Sequence, residues 1–259
     1  MPTVGICKLC RKEKELLKSH YMPAALYSRN LRLEYATRNS AGVVMKENEI
    51  KTRLLCRECE TLFKVNGEDE VLKYVQPKLG KKKGFPLSDR LRLALSRDNH
   101  PEMPRYSGAD LGMDMDKFAY FGLSIVWRGT AHDWTMLDGV VQPHFALGDF
   151  EPPMREYLLG GAMPPDTAVI VIVASDDGAR SVWTVPSVED VSDLVPCISF
   201  RFLVRGIFFR VMMGRHLPQV YRKASCTTWR KCLWYGSLKR RMPEIMTIFD
   251  EKRGAIAGQ

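Results

Sequence analysis

Three hydrophobic patterns alternate along this chain. Between positions 116 and 127 most residues are apolar, which predicts a buried helix of about three turns, capped by the Asp114 and Asp116 cluster at its start. Helical spacing recurs over 88–95, over 238–251, and over 150–159, where Pro152 and Pro153 are tolerated in a first turn. From Cys56, the apolar positions Cys59, Leu62 and Phe63 share one helical face. That helix should break near Asn66-Gly67, with a second helix over 68–75.

Strand signals fall elsewhere. Residues 16–23 read as a short strand ended by Pro23, and 24–31 as a short helix or turn. Residues 32–37 read as a strand, 39–42 as a turn and 43–46 as its return strand. The run of Ala, Val and Ile over 168–174 predicts a buried strand, 176–178 a turn, and 180–185 its partner. Residues 197–204 and 206–213 predict two more strands joined around Arg205-Gly206, with aromatics on both faces. The charged run 11–15 reads as a turn, and the Pro- and Gly-rich 99–113 as irregular. The expected class is α+β. Residues 1–77 are expected to form an N-terminal module and 78–115 a basic linker with an irregular segment. Residues 116–259 form a mixed helical domain with a small antiparallel sheet and a basic C-terminal part.

Composition narrows the setting. The chain has 259 residues, 45% hydrophobic and 27% charged, within the usual range for a globular protein. No apolar run approaches the ~20 residues that span a bilayer. The N-terminus enters a Cys pair at once, so no signal peptide is expected and the expected location is cytoplasmic, with no membrane partner. Cysteines there serve as metal ligands more often than as disulfides.

Charge points to the partner. The net charge of +9 favours an anionic partner, most simply nucleic acid, with DNA preferred to RNA. Residues 201–242 hold eleven Lys and Arg and no Asp or Glu, whereas 110–156 is acidic. Within the basic stretch, Arg222, Lys223, Arg230, Lys231, Lys239, Arg240 and Arg241 alternate with aromatics such as Phe202, Phe208, Phe209, Tyr221 and Trp234. Such a stretch can track phosphates and stack on bases, or can be a core with solvated basic neighbours. Lys81, Lys82 and Lys83 between two glycines form either a solvated linker or a phosphate-contacting loop.

The strongest local signal is chemical. Cys7-x-x-Cys10 and Cys56-x-x-Cys59 offer four thiolates, the complement of a closed tetrahedral zinc site. Cys197, Cys226 and Cys232 remain, and read as small buried residues. The sequence contains no G-x-S-x-G, P-loop or G-x-G-x-x-G, which argues against a serine hydrolase, an NTPase and a dinucleotide enzyme. His132 with Asp133 reads as a surface loop.

Between and just after the knuckles stand Ser19-His20-x-x-Pro23 and Leu54-Leu55-Cys56-x-x-Cys59-Glu60. This order resembles the zinc-bearing HNH (ββα-metal, treble-clef) endonucleases, and bacterial proteins sharing that signature. The likeness extends less specifically to residues 123–128, Leu-Ser-Ile-Val-Trp-Arg. It implies an N-terminal treble-clef module with a structural zinc and an endonuclease hydrolysing phosphodiester bonds with Mg2+ or Mn2+. His20 would be the general base and Glu60 a ligand of the catalytic cation. A role in defence against foreign DNA would fit the family. Ser19 stands where the family has an acidic or His ligand, and Lys51 where it has Asn. The alternative is a zinc-stabilised nucleic-acid-binding or adaptor module with a degenerate nuclease site. A protein partner met through the apolar 118–127 helix, or a homo-oligomer, stays open.

Overall fold

A knuckled hairpin opens the fold. The computed structural model describes residues 3–27, 34–35, 49–75, 87, 90–91, 94, 103–137, 139–176, 179–180, 182–189, 197–228 and 230–239. Strand β1 (Thr3–Ile6) pairs antiparallel with β2 (Glu13–His20), and the two-residue strand β3 (Glu34–Tyr35) follows. Strand β4 (Lys51–Cys56) returns on the other side of β2, so the small sheet runs β1-β2-β4. The charged run 11–15 was expected to turn, but Glu13 to Glu15 lie in β2. Val4 and Ile6 on β1 point to solvent, so no apolar face marked that strand in the sequence.

Helix α1 (Arg57–Phe63) starts as β4 ends and runs into a π-helical turn (Lys64–Glu68), then helix α2 (Asp69–Val75). The interruption expected near Asn66-Gly67 takes the form of this π turn, and α2 occupies nearly the expected 68–75. Gly67 packs closely against Phe121 of the next helix. Strand β5 (Arg105–Ser107) emerges from the stretch read as irregular.

Helix α3 (Met115–Ala131) is the centre of the molecule, one turn longer than the apolar run suggested. The Asp114 side chain caps it, accepting from the amides of Asp116 and Lys117. It is buried on nearly all sides, as a helix apolar all round must be. The α1–α2 unit packs on one side, and Gly122 meets Val169, Phe209 and Val211 of the large sheet on another. Strands β6 (Trp134–Thr135) and β7 (Val141–Gln142) form a small hairpin, and helix α4 (Glu151–Leu158) begins with the expected prolines.

The large sheet is built from β8 (Thr167–Ala174), β9 (Val182–Trp183), β10 (Ser187–Glu189), β11 (Ile198–Val204) and β12 (Ile207–Met213). Helix α5 (Gln219–Ala224) and strand β13 (Cys232–Gly236) complete the region. Its order is β3-β9-β11-β12-β8-β13-β5, with β10 paired to β11; β3–β9 and β8–β13 are parallel, the remaining pairs antiparallel. The expected class, mixed α+β with antiparallel sheets, is what the chain adopts. Arg205 and Gly206 both take positive φ, which closes the tight β11–β12 hairpin read from the sequence.

One pairing was misread. Residues 182–183 do not return on β8; they join β11, while β8 is flanked by β12 and β13. Both faces of β8 and β12 are apolar, so their seven-residue register buries more surface than a two-residue partner can. Val169, Val171, Phe202 and Phe209 face α3, with Phe202 and Phe209 stacked at 4.9 Å. Ile170, Ile172, Phe208 and Met212 face the opposite side in a second cluster. No described helix is long and apolar enough to cross a membrane. The expected 43–46 strand, the 78–85 linker and nearly all of the 238–251 helix lie outside the described residues.

Candidate metal centre

The small sheet and α1 bring the two Cys pairs together. Cys7 follows β1, and the chain folds back so that the Arg11 amide donates to the Cys7 carbonyl, with Arg11 at a positive φ of 60°. The Lys8 amide donates to the Leu54 carbonyl, which fastens this knuckle to β4. Cys56 is the last residue of β4 and the N-cap of α1, and Cys59 sits in the helix's first turn. The four sulfur positions lie within 4.8 Å of one another, and Cys10 Sγ is 3.9 Å from Cys56 Sγ. A tetrahedron of Zn–S bonds near 2.3 Å places sulfurs about 3.8 Å apart, so the cluster has the right size for such an ion. A disulfide needs about 2.05 Å, and all four cysteines are free.

The electrostatics of the cluster favour a cation. A hydrogen bond from the Cys59 thiol pulls the Cys7 thiol down to about 4, against the opposing effect of its burial. That same bond, followed by burial, pushes Cys59 far up; burial pushes Cys56 up to about 11. Burial opposes ionisation of Cys7, Cys56 and Cys59, and a divalent ion removes that penalty. The Cys56 amide donates to Cys7 Sγ at 3.4 Å, the kind of N–H···S contact that stabilises a thiolate. The cluster can therefore hold a metal such as zinc. Helix α4 closes over it: Arg155 donates to the Leu9 carbonyl, and Arg11 lies 3.6 Å from Glu151.

His20 ends β2, opposite Lys51 in register. Its Nε2 is buried and lies 3.3 Å from Glu49 Oε2, a charge contact rather than an aligned hydrogen bond. Lys51 also pairs with Glu49. The hydrogen bond from Lys51 holds the Glu49 carboxyl below the usual carboxylate range, and the nearby His20 adds to this against some desolvation. The His20 ring stands 5.6 Å from Tyr27, which meets Trp183 of β9 edge-on at 5.0 Å. Glu49 carried no signal in the sequence, because only the β2–β4 register reveals what it faces.

Ser19 points the other way. It is fully buried and its Oγ accepts from the Leu55 amide, beside an irregularity in the β2–β4 ladder at Leu17/Lys18. Glu60, in the first turn of α1, has a buried carboxylate oxygen, Oε1, with no partner among the described residues. Three acids downstream of it are engaged elsewhere. Glu68 pairs with Arg128, Asp69 with Lys64, and Glu70 with Lys73, Tyr74 and the Asp114 amide. Among the described residues, the four cysteines are the one group of three or more potential metal ligands.

Tertiary contacts rearrange the basic stretch. Arg222 pairs with Asp166, Lys231 with Asp116, and Arg215 with Asp149. Arg210 pairs with Glu189 at 2.7 Å. Phe202, Phe208 and Phe209 are core residues. Lys223, Arg230 and Lys239 stay exposed. Lys81, Lys82, Lys83, Arg240 and Arg241 lie outside the described residues. Comparison with protein-family models, curated proteins and solved structures gives no match.

Proposed function

We propose that the β2–β4–α1 unit is a treble-clef zinc module of HNH type that hydrolyses nucleic-acid phosphodiesters, with DNA the preferred substrate. The observation that carries this reading is the imidazole–carboxylate pair of His20 and Glu49, held at the strand end beside the helix that Cys56 and Cys59 start. In this reading the structural zinc sits on Cys7, Cys10, Cys56 and Cys59 and fixes α1 against the sheet. His20 takes a proton from a water whose oxygen attacks phosphorus, while the bond to the leaving sugar oxygen breaks. Glu49 orients the ring and favours its protonated form after that transfer, the role a carboxylate plays beside a histidine base. A bound Mg2+ or Mn2+ would supply charge stabilisation at the scissile phosphate. Glu60 offers an unpartnered, buried carboxylate oxygen for such an ion, and one carboxylate with phosphate and water suits Mg2+.

The test is cleavage of plasmid and single-stranded DNA with added Mg2+ or Mn2+, wild type against His20→Ala, with zinc content measured in both. Loss of about 10²-fold or more in rate at unchanged zinc content supports the reading. Unchanged cleavage in the His20→Ala protein removes it. One observation favours a second reading, a zinc-stabilised nucleic-acid-binding or adaptor module. Ser19 spends its hydroxyl inside the ladder, so it offers no ligand. Salt-steep DNA binding without turnover in either metal would select that reading.

A further inference from the structure

A cavity of about 460 Å3 opens on the face of the large sheet turned away from α3. That volume lies within the roughly 300–1,000 Å3 of small-molecule sites. The sheet register sets its floor. Phe208, Ile172 and Trp234 stand side by side on β12, β8 and β13, with Arg210 and Ile170 in the neighbouring row. Helix α5 supplies a wall through Val220, Tyr221 and Ala224.

The walls are pinned before any ligand arrives. Trp234 Nε1 donates to the Ala224 carbonyl at 3.1 Å, which ties the indole to α5. Arg222 of α5 pairs with Asp166 and donates to the Leu217 carbonyl. Ser225 Oγ, just past the helix, accepts from the Val169 amide at 3.0 Å. A pre-formed pocket of this kind costs a ligand little ordering.

One side of the cavity is charged, and unevenly. Glu189 Oε2 accepts from Arg210 at 2.7 Å and from Ser199 Oγ at 2.9 Å, and Glu189 Oε1 lies 3.9 Å from Arg201. Two guanidiniums thus face this carboxylate. Arg210 spends Nε on Ser199 and NH2 on Glu189, and its NH1 has no partner among the described residues. The Tyr221 ring holds this guanidinium from one side, 5.5 Å from the ring centre. Apolar and aromatic walls over most of the volume, closed by an open cationic donor, describe the complement of one ligand class.

We propose that this cavity binds a small aromatic anion, a ring system carrying one carboxylate or one phosphate. The ring lies over Ile170, Ile172 and Phe208 beside Trp234, and the anionic head reaches Arg210 NH1. The site is independent of the hydrolytic reading of the Cys-anchored module.

Calorimetric titration of the full chain tests it, with 1-naphthoate and 1-naphthyl phosphate against neutral 1-naphthol and cationic 1-naphthylmethylamine. The anions are expected to bind at least about tenfold more tightly than the neutral and cationic rings. Arg210→Gln abolishes that preference and leaves 1-naphthol affinity unchanged, and Ala224→Phe, which fills the cavity, blocks all four probes. Glu189→Gln carries the decisive sign. Removing the competing carboxylate strengthens anion binding several-fold, whereas a merely structural Glu189–Arg210 pair would make both substitutions weaken it. Wild type that binds no anion, or binds 1-naphthol as tightly as 1-naphthoate, overturns the proposal; so does weakening by Glu189→Gln in a protein with an unchanged melting temperature. If the proposal holds, the tighter of the two anions names the head group.

Discussion

Arg128 NH2 lies 2.6 Å from Glu68 Oε1, with both side chains withdrawn from water, at 2% and 16% exposure. The guanidinium also rests over the Phe63 ring, 4.7 Å from its centre. Helix α3 is thereby held to the π turn that follows α1, and through α1 to the Cys cluster. Removing one partner of a buried pair strands the other. Arg128→Met should therefore cost about 3–5 kcal/mol, while the double change Arg128→Met with Glu68→Leu should cost clearly less. Urea unfolding of the four proteins of that cycle measures the difference; equal losses in single and double variants would contradict a buried pair.

Gly67 permits the same junction to close. A Cβ there would stand 3.0 Å from Phe121 Cα and 3.1 Å from its amide nitrogen, and backbone cannot yield as a side chain does. Gly67→Ala should destabilise by about 1–3 kcal/mol, although alanine is the better helix former. The check is the melting temperature: a rise would mean that propensity outweighs the contact.

Metal removal should unfold the N-terminal unit. Its small sheet buries few large side chains, and four packed thiols without a cation leave the cluster under-compensated. Cys59→Ser should lose bound metal and, since metal affinity at such sites is also folding free energy, cost several kcal/mol, by analogy with the about 10–16 kcal/mol of zinc-finger peptides. Elemental analysis with circular dichroism, before and after a strong chelator, reads both effects.

Glu49→Gln should separate positioning from folding. On the proposed hydrolytic reading it leaves His20 in place without its carboxylate, so the cleavage rate should fall by about tenfold to a hundredfold, less than for His20→Ala. A rate equal to that of wild type would show that Glu49 does not act through His20.

Glu70 gives the acid side of the stability curve. Burial pushes its carboxyl up, yet the ion pair with Lys73, the Asp114 amide and the Tyr74 hydroxyl outweigh that and hold it below the usual range. Its stabilising contribution is therefore present above the ordinary carboxylate range and is lost as pH falls through the lowered value. Glu70→Gln should cost about 1–3 kcal/mol near pH 7, and wild type and variant should converge in acid. Denaturant midpoints across pH 3 to 7 test this; a constant gap would assign the effect to shape rather than charge.

Much was legible from the residues alone. Doubled C-x-x-C spacing marks a shared metal site, since few other causes set two thiols twice at that interval. The apolar run ahead of Arg128 and its Asp114 cap marked the central helix, and Arg205-Gly206 marked a tight hairpin, because local sterics and burial decide those features. Pairing was another matter. Residues 182–183 join β11 rather than β8 because the long apolar register of β12 outweighs a nearby turn. Glu49 faces His20 only through the β2–β4 ladder, and part of the acid-free charge of 201–242 is answered by acids distant in sequence, Asp116, Asp149 and Asp166. Spacing within one element is a property of the chain; which charges and strands meet depends on the lowest free energy of the whole packed structure.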